Sequence, residues 1–322
     1  MLINQCHLWY NNKEIFYKVG DVMENKFKVN FSYDEVIITD LKNFNIKQVV
    51  ECGQCFRWKK VKENDYIGVA FGKVIEVIQE DDKLRILNSN EEDFNNIWKK
   101  YFDLERDYDE VKKELAKDEI LSKSVEYGYG IRILNQEPFE LLISFIISAR
   151  NNIPSIKKTV NKISEKWGTP IEYKGNTYYA FPTPTQLKDA TLEEIQETKA
   201  SFRSKYILDT IGKVNASKKG DEYDLEYIAS LDADECHKAL QNFKGVGAKV
   251  ADCIMLFSME KTSAFPVDVW VKRAMMHFYN AEEGSLNKIR IFGRDKFKDF
   301  AGFAQQYLFY YARENKISVD NE

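Results

Sequence analysis

The chain has 322 residues, 44% of them apolar and 14% aromatic, with 51 acidic against 47 basic side chains and a net charge of -4. That much apolar material excludes a disordered chain, and the length allows two domains. The acidic balance argues against a partner gripped by charge alone, and the longest apolar run, about Phe139 to Ala149, falls short of the ~20 residues a membrane span needs.

Residues 1–30 show no strong periodicity and are read as an extension without assigned function, within which Met23 is an alternative start. Lys13 and Glu14 interrupt any signal-peptide core, so a cytoplasmic protein without membrane attachment is expected. Cys6, Cys52, Cys55, Cys236 and Cys253 are odd in number and scattered, which fits reduced thiols. From Lys28 to about Leu87 the runs "KVNFSYDEVIITD", "CFRWKKV", "DYIGVAFGKVIEVIQ" and "KLRIL" alternate with period two, which predicts an antiparallel sheet with one solvated face. After Asn88 apolar residues recur three and four apart. "NEEDFNNIWKKYF" and "YDEVKKELAK" read as amphipathic helices and "EPFELLISFIISA" as a buried central one. Further helices are expected at Ile153–Trp167, Thr191–Glu197, Ser204–Val214, Ala233–Phe243, Lys249–Met259, Asp268–Tyr279 and Lys296–Arg313, with "GTPIEYKGNTYYAFPTPT" as a loop. The fold class is therefore α+β: a small antiparallel β domain with a helical linker over 31–133, then a larger all-α domain over 134–322.

Charge is unevenly placed. Lys199 to Lys219 holds six basic residues and one acid, Asp209, whereas Asp221 to Glu235 holds seven acids and no base. Such a reversal is either one electropositive face on an acidic body or two solvated faces.

The chemistry concentrates in "KGVGAKVADCIMLFSMEKTSAFPVDVW". Two helices flank a tight turn in which Gly245 and Gly247 permit positive φ and close backbone approach around Val246. The turn leaves free amide N–H groups at a positive helix N-terminus, an arrangement that suits a phosphate. Lys249 falls in the first turn, where the helix dipole disfavours an ammonium, so it can serve as a nucleophile. Asp268 follows Pro266 at the start of the next helix, where its carboxylate can cap free N–H groups. Taken singly, a surface lysine and a simple cap account for both.

"GVGAKVADC" with "FPVDV" resembles the helix-hairpin-helix DNA glycosylase superfamily, and in particular its 8-oxoguanine branch. The resemblance runs from about Asp34 to Arg313 and takes in "GQCFRW", "YFDL", "SFIISARNNI" and "AGFAQQYLF" in order. It implies a base-excision enzyme in which Lys249 attacks C1′, expels the base and forms a Schiff base, after which elimination cuts the strand. Asp268 would stabilise positive charge at the sugar. The resemblance assigns the lesion-reading carbonyl to Gly53 and the Watson–Crick edge to Gln305, with Phe309 and Cys253 sandwiching the ring. Gly245, Val246 and Gly247 would clamp the DNA backbone, while Arg150, Asn151, Asn152, Phe202 and Arg203 would fill the gap left by the extruded nucleotide. The implied partner is double-stranded DNA containing oxidised guanine, bound by a monomer. No cofactor or catalytic metal is required, although the superfamily often holds a structural cation on the hairpin backbone.

The chain also departs from relatives in animals and fungi. Those carry asparagine at the place of Arg150, arginine at Ser155 and tyrosine at Phe202, while Arg203 is retained. This predicts a wedge of Asn151 and Phe202 with weak discrimination of the opposite base. Lys244 replaces a proline and could add a phosphate contact, and Trp270 replaces a histidine. Cys52 and Cys55 form a CxxC pair that lacks a second Cys/His pair, and no cysteine follows Cys253, so an iron–sulfur cluster is not expected. The competing readings are a glycosylase for another damaged purine, a catalytically silent DNA-binding module, and a helical protein scaffold.

Overall fold

A computed structural model describes residues 27–81, 83–282 and 284–317, so Met23 and Cys6 lie outside the described residues. The alternating runs form six strands, β1 (Lys28–Phe31), β2 (Glu35–Thr39), β3 (Trp58–Lys62), β4 (Asp65–Ala70), β5 (Lys73–Glu80) and β6 (Lys83–Leu87). They make one antiparallel sheet in the order β1-β2-β6-β5-β4-β3. Register follows the apolar face: Val36 faces Ile86 and Ile38 faces Leu84, all four buried. Each such buried aliphatic side chain stabilises the fold by about 1.5–3 kcal/mol relative to exposure.

"CFRWKKV" enters the sheet later than its pattern predicts. The strand starts at Trp58, and Gly53 to Arg57 form an irregular segment after the helix Ile46–Glu51. The expected loop after Trp167 is instead a hairpin of β7 (Pro170–Tyr173) and β8 (Asn176–Tyr179). Its turn residues Lys174 and Gly175 both have positive φ, +48° and +72°, the geometry of the tightest hairpin turns. The hairpin reaches back to the sheet, where Tyr173 Oη and Lys174 Nζ donate to buried Glu76 at 2.7 and 2.6 Å.

Among the described residues, two apolar clusters are buried. One lies under the sheet and extends to Leu104 and Leu134; the other fills the helical part. Helices Tyr108–Leu115 and Glu119–Tyr127, grouped by sequence with the sheet as a linker, bury Tyr108, Val111, Leu115, Leu121 and Val125 in the second cluster. Buried Arg132 fastens the junction by donating to the carbonyls of Lys42, Asn43 and Asp103.

The helices Ile153–Trp167, Ser204–Ala216, Ala233–Leu240, Ala248–Ser258 and Val269–Tyr279 lie close to their sequence-predicted bounds. The expected helix Lys296–Arg313 is two. Leu286–Phe297 ends at Lys298, whose φ of +52° breaks the path, and Ala301–Glu314 begins after a short turn. The break lets Gly302 N–H reach the Thr262 carbonyl at 2.7 Å, in a space where a Cβ would meet Leu256 at 2.3 Å. Among the described residues, no helix is long and apolar enough to cross a membrane.

Candidate active site

The helix-hairpin-helix element comprises Ala233–Leu240, the turn and Ala248–Ser258. Gly245 takes a φ of +85° and packs so closely on Tyr206 that a Cβ would lie 2.7 Å from the ring. Gly247 corrects the sequence expectation: it is extended, with φ -97° and ψ -178°, and caps the second helix without any side-chain bond. A Cβ there would meet nothing within 4 Å, so neither strain nor crowding within the chain calls for glycine at this position. Among the described residues, no side chain caps the first-turn N–H groups, which lie open at a positive helix end beside Val246.

Lys249 sits one step into this helix, half-buried, with its ammonium 5.2 Å from the Phe145 ring centroid. Cys253, one turn on, is buried, and burial pushes its thiol up to about 11 against the opposing charge of Lys249. It is thus a neutral, polarizable surface beside the amine. Asp268 caps the helix Val269–Tyr279, accepting from Trp270 and Val271 N–H at 3.0 and 2.9 Å. Burial raises its carboxyl above the ordinary value, while these two bonds and the charges of Lys249 and Arg313 pull the other way.

Lys249, Asp268 and Cys253 line one cavity of about 290 Å³ together with Gly53, Gln305 and Phe309, a volume near the lower end for ligand pockets. Its mouth carries Asn151, Asn152 and the exposed Ile153 and Val269. A larger depression of about 1140 Å³ lies beside the sheet around Tyr33, Asn88 and Glu91, far in sequence from this constellation. The larger one also carries an amine and carboxylates, at Lys73, Asp34, Glu91, Glu92 and Asp93; we place the chemistry in the smaller one because it brings Lys249 and Asp268 together with the unpartnered Gln305 and Gly53 acceptors and the rings of Phe145 and Phe309.

Those acceptors are specific. Gln305 is 4% exposed, and its Oε1 has no hydrogen-bond partner among the described residues. Such an orphan is costly unless a ligand donates to it. Gly53 has a φ of +86°, and a Cβ there would lie 3.2 Å from the Phe309 ring. Around it, the carbonyl of Glu51 accepts from Arg313, that of Cys52 from Gln306 and that of Gln54 from Gln136. Among the described residues, no donor serves the Gly53 carbonyl. Sequence reading missed Phe145, Gln306 and Arg313; only the "QQ" pair in "AGFAQQYLF" hinted at the second.

The wedge residues divide into two kinds. Arg150 has a φ of +51° in an exposed turn, Asn152 caps Ile153–Trp167 by accepting from Ser155 N–H, and Asn151 donates to the Ile147 carbonyl. Phe202 is 53% exposed. Arg203 differs: it is buried, and its guanidinium donates to the carbonyls of Ala149 and Arg150, with its Cζ 4.4 Å over the Phe202 ring. Here it braces the turn from behind rather than facing outward.

The basic strip is partly neutralised. Asp209 pairs with Lys213 at 3.1 Å and with Lys244 at 2.6 Å, and Lys213 also donates to the Asn242 carbonyl beside the turn. Cys52 and Cys55 are buried free thiols.

Residues 36–142 match the N-terminal domain of 8-oxoguanine DNA glycosylase, and residues 143–293 match the helix-hairpin-helix (HhH-GPD) superfamily of base excision DNA repair proteins. The N-glycosylase/DNA lyase of Saccharomyces cerevisiae is 31% identical over 272 residues, 76% of this chain and 71% of the yeast protein. The chain belongs to the 8-oxoguanine DNA glycosylase family. The N-glycosylase/DNA lyase of Arabidopsis thaliana is 28% identical over 80% of this chain and 74% of its own length. A crystal structure of the Clostridium acetobutylicum 8-oxoguanine glycosylase/lyase, in complex with double-stranded DNA containing cytosine opposite 8-oxoguanine, superposes with a TM-score of 0.88. It is 55% identical, covering 91% of this chain and 100% of that one.

Proposed function

We propose that this protein locates 8-oxoguanine in double-stranded DNA, extrudes the nucleotide into the 290 Å³ cavity and excises the base with Lys249 as nucleophile. The observation that carries this reading is the pairing of two unserved acceptors with an amine and a carboxylate in one cavity. Oxidation at C8 converts guanine N7 from an acceptor to an N–H donor, which the Gly53 carbonyl can accept. The Watson–Crick edge of the same base offers N1–H and N2–H donors to Gln305 Oε1. Undamaged guanine would set its N7 lone pair against the Gly53 carbonyl, a mismatch costing roughly 1–3 kcal/mol.

The Lys249 nitrogen attacks C1′ as the glycosidic bond breaks, and the base leaves with the bonding electron pair and takes up the proton that the attacking nitrogen sheds. Asp268 faces the positive charge that develops on the sugar. The amine adduct opens to a Schiff base, loss of a C2′ proton follows, and elimination expels the 3′ phosphate oxygen. The amine and carboxylate supply the chemistry without a cofactor. The open N–H groups at Gly247 and the turn around Val246 grip a phosphate of the flanking strand. On this reading the activity lies on the chromosome.

The region expected to face the orphaned base offers little to read it with. Arg203 is committed to backbone carbonyls, Ser155 is short, Phe202 presents a ring without hydrogen-bonding groups, and among the described residues no hydrogen bond or ion pair holds the exposed Arg150 guanidinium toward a base. Single-turnover excision from duplexes with 8-oxoguanine opposite C, A, G or T should therefore differ by less than about tenfold, since no specific pairing, typically ~1–3 kcal/mol, separates them. Equal rates support the reading. A strong preference for cytosine would overturn it and show that an arginine, Arg150 from its exposed turn or Arg203 freed from its carbonyls, engages the orphaned base. Failure to release 8-oxoguanine opposite any base would overturn the assignment.

A further inference from the structure

We infer that Arg313 is a positioning residue that sets the base slot, fixing the Gly53 segment of the sheet domain against Phe309 of the C-terminal helix. The inference rests on the lesion-reading assignment of Gly53, Gln305 and Phe309 above. Three contacts carry it. The guanidinium lies 5.2 Å from the Phe309 ring centroid, so it polarises and holds the ring from one side. Its Nη2 donates to the Glu51 carbonyl at 2.9 Å, two residues before Gly53. Its Nη1 lies 3.5 Å from where a Gly53 Cβ would stand.

Arg313 also lines the cavity. One planar cation therefore touches both the Phe309 wall of the base slot and the segment that carries the Gly53 carbonyl, and it bridges segments 262 positions apart in sequence. Gln306 makes the parallel tie at 2.8 Å to the Cys52 carbonyl. With these two ties made to its neighbours, the Gly53 carbonyl has no donor among the described residues. A lysine could keep the charge and one bond, but not the flat stack on Phe309.

The charge of Arg313 also reaches Asp268, whose other charged neighbour is Lys249. The test must therefore separate slot geometry from sugar chemistry. A duplex carrying a preformed abasic site does so, because Lys249 and Asp268 still act there but no base occupies the slot.

Wild type, Arg313→Met, Arg313→Lys, Phe309→Ala and the Arg313→Met/Phe309→Ala double variant are compared under single turnover on 8-oxoguanine opposite cytosine. The same set is compared by borohydride crosslinking on the abasic duplex. Arg313→Met is expected to slow excision by roughly tenfold, the order of a partly desolvated cation–π contact, and to leave abasic crosslinking within about twofold. Arg313→Lys should recover part of the loss, and the double variant should be no slower than the slower single one. Equal losses on both substrates, additive losses in the double variant, or no loss at all would overturn the inference. If Arg313→Met does not fold, the ratio of the two activities in Arg313→Lys decides in the same way. Wild type that fails to excise 8-oxoguanine would count against the proposed function itself.

Discussion

Asparagine at position 268 is expected to slow base excision by about 10²–10³-fold, the usual loss when one preorganised electrostatic partner of a transition state is removed. The substitution keeps the helix cap, because the amide oxygen can still accept from Trp270 and Val271 N–H. What it removes is the negative charge beside the sugar. The same variant should be no less stable than wild type, and more stable at neutral pH. Burial raises the Asp268 carboxyl, so the ionised form is disfavoured in the folded protein relative to the unfolded chain. A raised carboxyl contributes stability fully present below its unfolded value and lost as pH rises through its folded value, which leaves a cost at neutrality. The expected pairing is thus lower activity with an equal or higher melting temperature. For wild type, the acid limb of the excision rate should lie above the pH at which a free aspartate titrates, and the asparagine variant should lack that limb. Single-turnover rates across pH, with melting curves at the same pH values, measure all three quantities. A fast asparagine variant would remove Asp268 from the mechanism.

The second large effect concerns a residue outside the cavity. Asp252, between Ala251 and Cys253 on the second hairpin helix, is fully buried and bound by Arg290 through Nε at 2.5 Å and Nη2 at 2.9 Å. Arg290→Met should cost about 3–5 kcal/mol, because it strands a buried carboxylate. His237, with its Nε2 3.7 Å away, is a poorer counter-charge, because burial lowers its affinity for a proton. Replacing both partners, Arg290→Met with Asp252→Leu, should restore most of the loss, since the desolvation cost disappears with the charge. Urea unfolding of the two variants tests this. A mild Arg290→Met, or a double variant as unstable as the single one, would show that the pair does not brace the hairpin.

Much of this molecule is legible in its sequence, and the exceptions have physical causes. Alternation located the sheet because one face of β2 and β6 is buried, and capping residues such as Asn152 and Asp268 mark helix starts at the first turn. Lys174–Gly175 was missed as a hairpin turn because the surrounding Pro and Gly residues read as loop, although alternation on both sides of the pair signals a hairpin. The break at Lys298 was invisible, since nothing local forbids a helix there. It is imposed by the close seat of Gly302 on Leu256 and Thr262. The motif residues Lys249, Asp268, Gly53, Gln305 and Phe309 came from resemblance, and the fold brings them around one cavity. Gln306 and Arg313, which hold that cavity to its shape, bond to carbonyls 254 and 262 positions away, a distance over which no local pattern carries information.

The most direct measurement of the central claim is borohydride trapping of wild type and Lys249→Gln on a duplex with one 8-oxoguanine opposite cytosine. The account predicts a covalent protein–DNA complex with wild type and none with Lys249→Gln, because only a Schiff base is reduced to a stable link. A complex that survives in Lys249→Gln, or tight binding by wild type with no complex, would contradict the assignment of Lys249 as the nucleophile.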